Sequence, residues 1–368
     1  MRNSLDRLTI RGFRSIQELE DFELKNLNVL IGGNGAGKSN FVEIFRMLRA
    51  MVDQSFENYI LTHGGADDFL FNGPQVTPLV EVEFEFGSNA YAFELQTIPH
   101  NRFLIRSEKQ RYSLMNWQTI GINQLESQLY KRKDERSRLG DWPGVGYYVY
   151  QAISGWTVYH FHDTSSTAPM RRYEIVQDSA RLRSDAANIA PFLMLLQKDD
   201  SVAYANILDA IQLVIPFFND FILRPISRGE KEMVNLSWMQ KGSDYPMQPY
   251  HLSDGSIRFI CLATVLLQPD PPSTIIIDEP ELGLHPYAIA LLAELIQATA
   301  ERTQVIISTQ SPTLVDYFSP EHVIVVNREG GASTFDRLDA ADLTEWLDDY
   351  SLGELWQKNI VAGGPVYE

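Results

Sequence analysis

Eight residues between positions 32 and 39 have the types and spacing of a phosphate-binding loop. They fit the pattern G-x-x-x-x-G-K-[ST], in which glycines let the backbone wrap closely around phosphate oxygens. In this pattern Lys38 reaches the β- and γ-phosphates, and the hydroxyl of Ser39 coordinates Mg²⁺. The residues that we predict to bind ATP here are Gly32, Asn34, Gly35, Ala36, Gly37, Lys38, Ser39 and Asn40.

Two consecutive carboxylates, Asp278 and Glu279, form a second candidate site. They follow the apolar run 274–277, whose β-branched residues predict a fully buried strand. In this position Asp278 is predicted to hold Mg²⁺, and Glu279 to act as the general base toward the attacking water. The alternative is a carboxylate pair that merely caps a strand end, which the phosphate-binding loop in the same chain disfavours.

The elements around these residues predict how they meet. The run 27–31 predicts a buried strand before the loop, and apolar residues at helical spacing follow it. The run 305–308 predicts another buried strand, which ends shortly before Gln310. Strands that alternate with helices indicate an α/β domain with a mostly parallel sheet, which binds ligands at the carboxyl ends of its strands. We therefore expect Lys38, Asp278 and Gln310 to lie at that edge.

The middle of the chain has a different pattern. Apolar and glutamate side chains alternate over residues 80–86, which predicts a half-buried antiparallel strand with a return strand after it. Beyond residue 105 the sequence becomes polar and charged, with helical stretches. We expect an antiparallel β subdomain and a mainly helical insertion, with the parts at residues 1–105 (loop and β subdomain), 106–245 (insertion or helical lobe) and 246–368 (the rest of the ATPase domain).

Composition limits the setting of the protein. The single cysteine, Cys261, excludes an internal disulfide and a cysteine-based zinc site, so a reducing cytoplasm is expected. No apolar run is long enough to span a bilayer, and the first residues lack the apolar core of a signal peptide. We expect no membrane partner.

The net charge of −17 argues against a protein that coats DNA, although a local basic groove remains compatible with it. A solvated face is the alternative for each basic cluster. The candidate basic residues are Lys131, Arg132, Lys133, Arg136, Arg138, Arg171, Arg172, Arg181 and Arg183.

Further motifs resemble those of a known family. Residues 252–255 (Leu-Ser-Asp-Gly) are similar to the signature motif of ABC-type ATPases, and residues 281–286 to their D-loop. Gln310 stands where their switch histidine stands. With the opening Ile-Arg-Gly-Phe-Arg-Ser at 10–15, the chain resembles the branch that holds RecF, SMC and OLD-type ATPases. Residues 159–165, 308–312 and 346–359 make it most similar to stand-alone bacterial RecF-like "predicted ATPases" of the AAA family.

This resemblance implies an ABC-type P-loop NTPase fold and a homodimer that sandwiches two ATP molecules with Mg²⁺. Ser253 and the backbone at Gly255 of one subunit would bind the γ-phosphate that Lys38 of the other subunit holds. The catalytic residues would be Glu279, Gln310 and Ser253. Glutamine cannot carry a proton as the switch histidine can, which implies slow hydrolysis. The glutamine of the Q-loop stays open among three candidates, Gln75, Gln96 and Gln110.

The resemblance, rather than the site chemistry, implies an ATP-driven switch in DNA-related processes, with anti-phage defence beside a separate effector as the first expectation. A RecF-like repair ATPase and a nucleotide-gated scaffold with very slow turnover are the alternatives. A transporter motor would need a membrane partner. The missing heptad repeats exclude a rod-like SMC function.

A nuclease activity is not expected in this chain. Little sequence follows the last predicted strand, so we expect no Toprim domain here, and a nuclease would be a separate effector. The sequence His-x-His-Asp at 160–163 has metal-ligand residue types, but a structural role is the more frequent one for so tight a group on a strand.

Overall fold

The computed structural model describes residues 4–137, 140 and 142–361. Its strands are β1 (Arg7–Phe13), β2 (Ile16–Glu23), β3 (Leu27–Ile31), β4 (Leu79–Phe86), β5 (Asn89–Ile98), β6 (Arg102–Tyr112), β7 (Gln118–Gln124), β8 (Trp156–Tyr159), β9 (Glu174–Ile175), β10 (Phe218–Ile222), β11 (Ile226–Arg228), β12 (Lys231–Val234), β13 (Ser237–Gln240), β14 (Pro246–Met247), β15 (Thr274–Asp278), β16 (Gln304–Thr309), β17 (Val323–Glu329) and β18 (Ala332–Arg337).

Along the chain, most of the helices alternate with strands. They are α1 (Lys38–Val52), α2 (Phe56–Thr62), α3 (Val145–Ser154), α4 (Ile189–Asp199), α5 (Ser201–Val214), α6 (Asp254–Leu267), α7 (Pro286–Ala300), α8 (Pro312–Val315), α9 (Ala340–Leu347) and α10 (Leu352–Gln357). Within the part of the chain that the structure describes, none is long and apolar enough to cross a membrane.

The central sheet has six strands in the order β18-β17-β3-β16-β15-β8. All neighbouring pairs are parallel except β17 with β18, which form an antiparallel hairpin. The register aligns Asp278 of β15 with Ser308 of β16, and Thr309 of β16 with Ile31 of β3. The carboxyl ends of the three strands therefore lie side by side.

Alternating side chains of this sheet pack into two cores. Ile276 and Ile306 point to the face that α1 and the antiparallel sheet cover. Their neighbours Ile277 and Ile307 point to the opposite face, which α4 to α7 cover. Burial on both faces explains the unbroken apolar runs that predicted these strands.

The second large sheet is antiparallel, in the order β2-β1-β4-β5-β6-β7. The buried side chains of β4 alternate with partly exposed glutamates, as the sequence pattern predicted. The remaining strands of the described residues form two small antiparallel sheets, β10-β13-β14 and β11-β12-β9. The predicted α/β fold with a mostly parallel sheet and an antiparallel β subdomain is confirmed.

The proposed three-part division stays a prediction. One strand crosses a predicted boundary, and another pairs with a strand of a different part. β6 runs through the boundary at residues 105 and 106, because it pairs with β5 along nearly its whole length. β8, inside the 106–245 segment, pairs with β15 as an edge strand of the central sheet.

Candidate functional site

The phosphate-binding loop joins β3 to α1 as the sequence predicted. Gly37 precedes the first residue of α1 and has a φ of 120°. A Cβ atom there would collide with Ser333, and one at Gly32 would collide with the carbonyl oxygen of Val326. Glycine is therefore required at both positions by the neighbouring β17–β18 hairpin. The N-terminal end of α1 is left with the free backbone N–H groups that bind anions.

The ammonium group of Lys38 lies inside this loop. Its Nζ donates hydrogen bonds to the carbonyl oxygens of Gly32, at 2.6 Å, and Gly33, at 3.1 Å. Burial lowers the pKa of Lys38, while the negative charges of Glu279 and Asp278 oppose that shift. A buried cation that is held by carbonyl groups alone is well placed to exchange them for phosphate oxygens.

The side chain of Asn40, which was predicted to bind ATP, contacts the turn between β1 and β2. Its Nδ2 donates to Ser15 Oγ at 2.6 Å, and Ser333 Oγ donates to the same oxygen at 2.7 Å. Ser333 Oγ also lies 2.5 Å from the carbonyl oxygen of Ala36. Asn40 thus fastens the loop to the β1–β2 turn, and this contact favours a supporting role over direct ATP contact.

Three carboxylates lie at the carboxyl end of β15, where Asp278 is the last residue of the strand. Asp278 accepts a hydrogen bond from Ser308 Oγ on the neighbouring strand. Glu279 accepts one from the side-chain amide of Gln310, the residue that follows β16. Glu279 has a φ of 47°, in the left-handed region that non-glycine residues seldom adopt. The chain therefore turns sharply here and directs Glu279 toward Gln310.

The third carboxylate, Glu281, was missed as a site residue by the sequence analysis. Its Oε1 accepts hydrogen bonds from Thr309 Oγ1, at 2.5 Å, and from the backbone N–H of Gln310, at 3.3 Å. Burial raises the pKa of Glu281, and the bond from Thr309 opposes that rise. Glu281 thus fixes the backbone that carries Gln310. In the sequence it stood as the first residue of the D-loop-like segment 281–286, two positions after Glu279, with no sign of its contact with Thr309.

Ser253 is the N-cap of α6. Its Oγ accepts a hydrogen bond from the backbone N–H of Ser256 at 3.1 Å, and its side chain is exposed. A Cβ atom at Gly255 would collide with the carbonyl oxygen of Gly283, so the signature segment and the D-loop segment are in close contact. The N-terminus of α6 is a second exposed helix end with the polarity that anions favour.

The structure brings the P-loop, Asp278, Glu279 and Gln310 to one edge of the central sheet, as predicted. The assignment of individual residues to ATP and Mg²⁺ stays a prediction. A small cavity lies behind the carboxylates and is lined by Phe161, His162, Arg258, Leu262, Ile277, Asp278, Glu279 and Pro280.

The residues after β8 lie at this edge too. Tyr159 pairs in parallel with Ile277, so residues 160–163 follow beside Asp278. Gln110, one candidate for the Q-loop, is buried in the antiparallel sheet and bonds to Gln118 and Glu135. Among the described residues, no group of three or more histidine, cysteine or acidic side chains is arranged to hold a metal ion.

The basic candidates do not form one surface. Arg171 is only 9% exposed, so its proposed contact with DNA is wrong: its guanidinium bonds to carbonyl groups inside the protein. Arg183 pairs with Glu174 and Asp178. Arg138 lies outside the described residues. Sequence counts of positive charge miss burial and ion pairing, which explains these differences.

A strand–loop–helix phosphate site beside strand-end carboxylates and a capped signature helix is the arrangement of an ABC-type P-loop ATPase. The chain belongs to the family described as "AAA domain, putative AbiEii toxin, Type IV TA system", whose model matches residues 27–316. Membership implies nucleotide binding by an ATPase of this type.

Solved structures show the same fold. The chain is similar to an SMC head bound to the C-terminal winged-helix domain of ScpA, with a TM-score of 0.62 and 13% identity over 93% of this chain and 99% of that one. An SMC head with an extended coiled coil from Pyrococcus furiosus, bound to the C-terminal domain of ScpA, gives a TM-score of 0.56 and 13% identity over 94% and 98%. A comparison with curated proteins finds no match.

Replacing Lys38 with alanine is expected to weaken ATP binding by about a hundredfold or more, because each hydrogen bond to a charged group contributes ~1.5–3 kcal/mol and the lysine would make more than one. Titration with a fluorescent ATP analogue measures the effect. Lys198→Ala removes the same charge from an exposed position on α4 and should bind as the wild type does. Equal affinities for all three proteins would reject the phosphate site.

Proposed function

We propose that this protein binds Mg²⁺-ATP at the P-loop and hydrolyses it, and that ATP joins two subunits into a switch. The observation that carries this proposal is the convergence of Lys38, Asp278 and Glu279 at one sheet edge. Their charges act on one another, since both carboxylates oppose the burial shift of the Lys38 pKa. A phosphate group fits between a buried cation and a helix N-terminus.

The donor set at this edge suits a hard divalent cation. Ser39 is exposed on the first turn of α1. Asp278 is the last residue of β15, and one of its carboxylate oxygens accepts a hydrogen bond from Ser308. These two oxygen ligands would hold Mg²⁺, which would neutralise phosphate charge when bound. Asp278 is kept in place for this role by its hydrogen bond across the sheet.

Glu279 is the proposed general base. A water oxygen attacks the γ-phosphorus, the water proton passes to the Glu279 carboxylate, and the bond to ADP breaks with its electron pair on the ADP oxygen. The left-handed backbone at Glu279 supports this role, because strained conformations are kept where the surrounding structure and a function require them.

The γ-phosphate would receive its remaining contacts from a second subunit. Ser253 is exposed at the N-terminus of α6, where the backbone N–H groups of the helix start can bind an anion. A P-loop and a signature helix from different subunits would then form each site. ATP would then be the ligand that holds the homodimer together.

Slow turnover, or a nucleotide-gated scaffold, is the second candidate. The amide of Gln310 donates to Glu279, so the base is engaged by a neighbour that cannot itself accept and relay a proton as histidine does. Hydrolysis then requires this bond to open. A scaffold that stays ATP-bound for long periods is the consequence if it opens rarely.

The biological setting rests on the family. Its description names a putative AbiEii toxin of a type IV toxin–antitoxin system, which favours anti-phage defence over a RecF-like role in repair. We propose that the ATP-bound dimer in the cytoplasm senses DNA and controls a separate effector, such as a nuclease. The SMC heads in the similar structures are bound to domains of ScpA, which supports a partner protein for this fold.

Glu279→Gln should keep ATP binding and lower the hydrolysis rate by about a hundredfold or more, since an amide cannot accept the proton of water. The variant should also accumulate as an ATP-bound dimer. Phosphate release and sedimentation velocity measure the two effects. Gln310→Glu would add a like charge beside Glu279 and serves as a comparison. Hydrolysis of ATP by Glu279→Gln at the wild-type rate would assign the base to another residue.

Mixing two inactive variants tests the shared site. Ser253→Arg keeps its P-loop but fills the space meant for the partner's phosphate, and Lys38→Ala keeps its signature helix. In a mixed dimer, one site combines the intact P-loop with the intact signature helix. ATPase activity should therefore rise well above that of either variant alone. If it does not rise while Ser253→Arg alone hydrolyses ATP as a monomer, Ser253 is only a helix cap.

Of the basic cluster assigned to DNA, Lys131, Lys133 and Arg172 remain after the buried Arg171 and Arg132, which pairs with Glu135, are removed from it. Replacing all three with serine should weaken duplex binding and lower the salt slope by up to about three units. Fluorescence anisotropy at several salt concentrations measures this. The control variant replaces Arg224, Lys231 and Lys241, which are exposed elsewhere. A slope that only the control changes would move the DNA site to that surface.

A further inference from the structure

Two buried arginines lie at the start of α6, Arg258 on the helix itself and Arg171 beside its first turn. Arg258 is 6% exposed and Arg171 is 9% exposed. Each guanidinium donates to backbone carbonyl groups of segments that are far apart in sequence. A buried guanidinium is costly unless its donors are satisfied, so this arrangement needs a physical reason beyond filling space.

Arg258 joins α6 to both sides of the carboxylate edge. Its Nε donates to the carbonyl oxygen of Phe161 at 2.9 Å, and its Nη2 to that of His162 at 3.3 Å. Its Nη1 donates to the carbonyl oxygen of Leu282. Phe161 and His162 follow β8, and Leu282 lies in the turn after Glu279. Burial lowers the pKa of Arg258, and the nearby carboxylate of Asp254 opposes that shift.

Arg171 holds the same turn from the other side. Its Nε donates to the carbonyl oxygen of Thr164 at 3.0 Å, and its Nη1 to that of Leu252 at 3.1 Å. Its Nη2 lies 3.3 Å from a carboxylate oxygen of Asp254, the residue after Ser253. The start of α6 is therefore fixed to the segment 161–171 through two separate side chains.

These contacts connect parts of the two different ATP sites of the proposed dimer. The segments at 161–162 and 279–283 adjoin the carboxylates that act on the subunit's own ATP. The first turn of α6 carries Ser253, which faces the partner's ATP in the proposed dimer. Because the fork of Arg258 is planar and all its acceptors are backbone atoms, it transmits a shift of one segment to the others with little slack.

We propose that Arg258 is a positioning residue that couples the nucleotide state of the subunit's own site to the orientation of the signature helix presented to the partner. Arg171 holds the helix turn that is moved. This inference rests on the proposed ATP-dependent dimer. It assigns the selection between monomer and dimer to a buried hydrogen-bond junction rather than to a residue that touches ATP.

The test compares Arg258→Met with a variant of a half-buried arginine whose guanidinium is hydrogen-bonded in a similar way. Arg337 bonds to the carbonyl oxygens of Glu321 and Glu23 and to Asn28 Oδ1, and burial lowers its pKa also. Arg337→Met should therefore lose comparable thermal stability without affecting the switch. All variants are made in the Glu279→Gln background, so that ATP is bound and not consumed.

Arg258→Met should bind a fluorescent ATP analogue within about threefold of the parent while its ATP-dependent dimerisation weakens by about tenfold or more, the effect of losing one charge-assisted hydrogen bond. Arg337→Met should dimerise as the parent does. Arg258→Lys, which can satisfy only part of the junction, should fall between them. Sedimentation velocity and analogue titration provide the two measurements.

Several outcomes would overturn the proposal. Unchanged dimerisation of Arg258→Met would remove the coupling, and an equal loss of ATP affinity and dimerisation would reduce Arg258 to a structural role. If Arg258→Met does not fold, Arg258→Lys and Arg171→Lys decide by the same two measurements. A parent protein that stays monomeric with ATP would instead contradict the proposed function, which is a separate result.

Discussion

The parallel register of β3, β16 and β15 is the constraint on which the rest of the structure depends. It aligns Thr309 with Ile31 and Asp278 with Ser308, so that three strands end at the same level. Every charged group of the candidate site follows one of these ends. Since both faces of the sheet are covered by apolar cores, a slip of one strand would move buried side chains into wrong positions. Core packing thereby fixes where the strand ends lie, and hydrogen bonds within the site then orient the side chains of Asp278 and Glu281.

Local patterns were sufficient for the parts of the site that depend on local conformation. The P-loop, Asp278, Glu279 and the cap at Ser253 each belong to one strand end or one helix start, and the sequence located all of them. Glu281 was missed as a site residue because its partners Thr309 and the Gln310 backbone come from another strand. The predicted boundary at residue 105 cut through β6 because the second half of this strand is polar and charged, although it continues the hairpin with β5.

The basic residues show more clearly that local sequence patterns do not predict contacts between distant segments. Arg171 and Arg172 are adjacent in sequence and were assigned together to DNA. In the structure Arg171 is enclosed by carbonyl groups of the signature segment, whereas Arg172 is exposed. A charge count cannot distinguish these two environments, because burial is decided by segments about eighty residues away. Because the net charge is −17, any DNA contact must be local and sensitive to salt.

In the ATP-dependent dimer proposed above, the engagement of Glu279 by Gln310 and the arginine junction at α6 would act on different steps. The first limits how readily the base can receive a proton, so it governs how long ATP persists. The second connects the same carboxylate edge to the helix that meets a partner, so it governs what bound ATP does. A protein in which turnover is held back while assembly responds to nucleotide has the properties of a switch rather than of a motor. The output of such a switch would depend on the lifetime of the proposed dimer, which the proposed effector would sense.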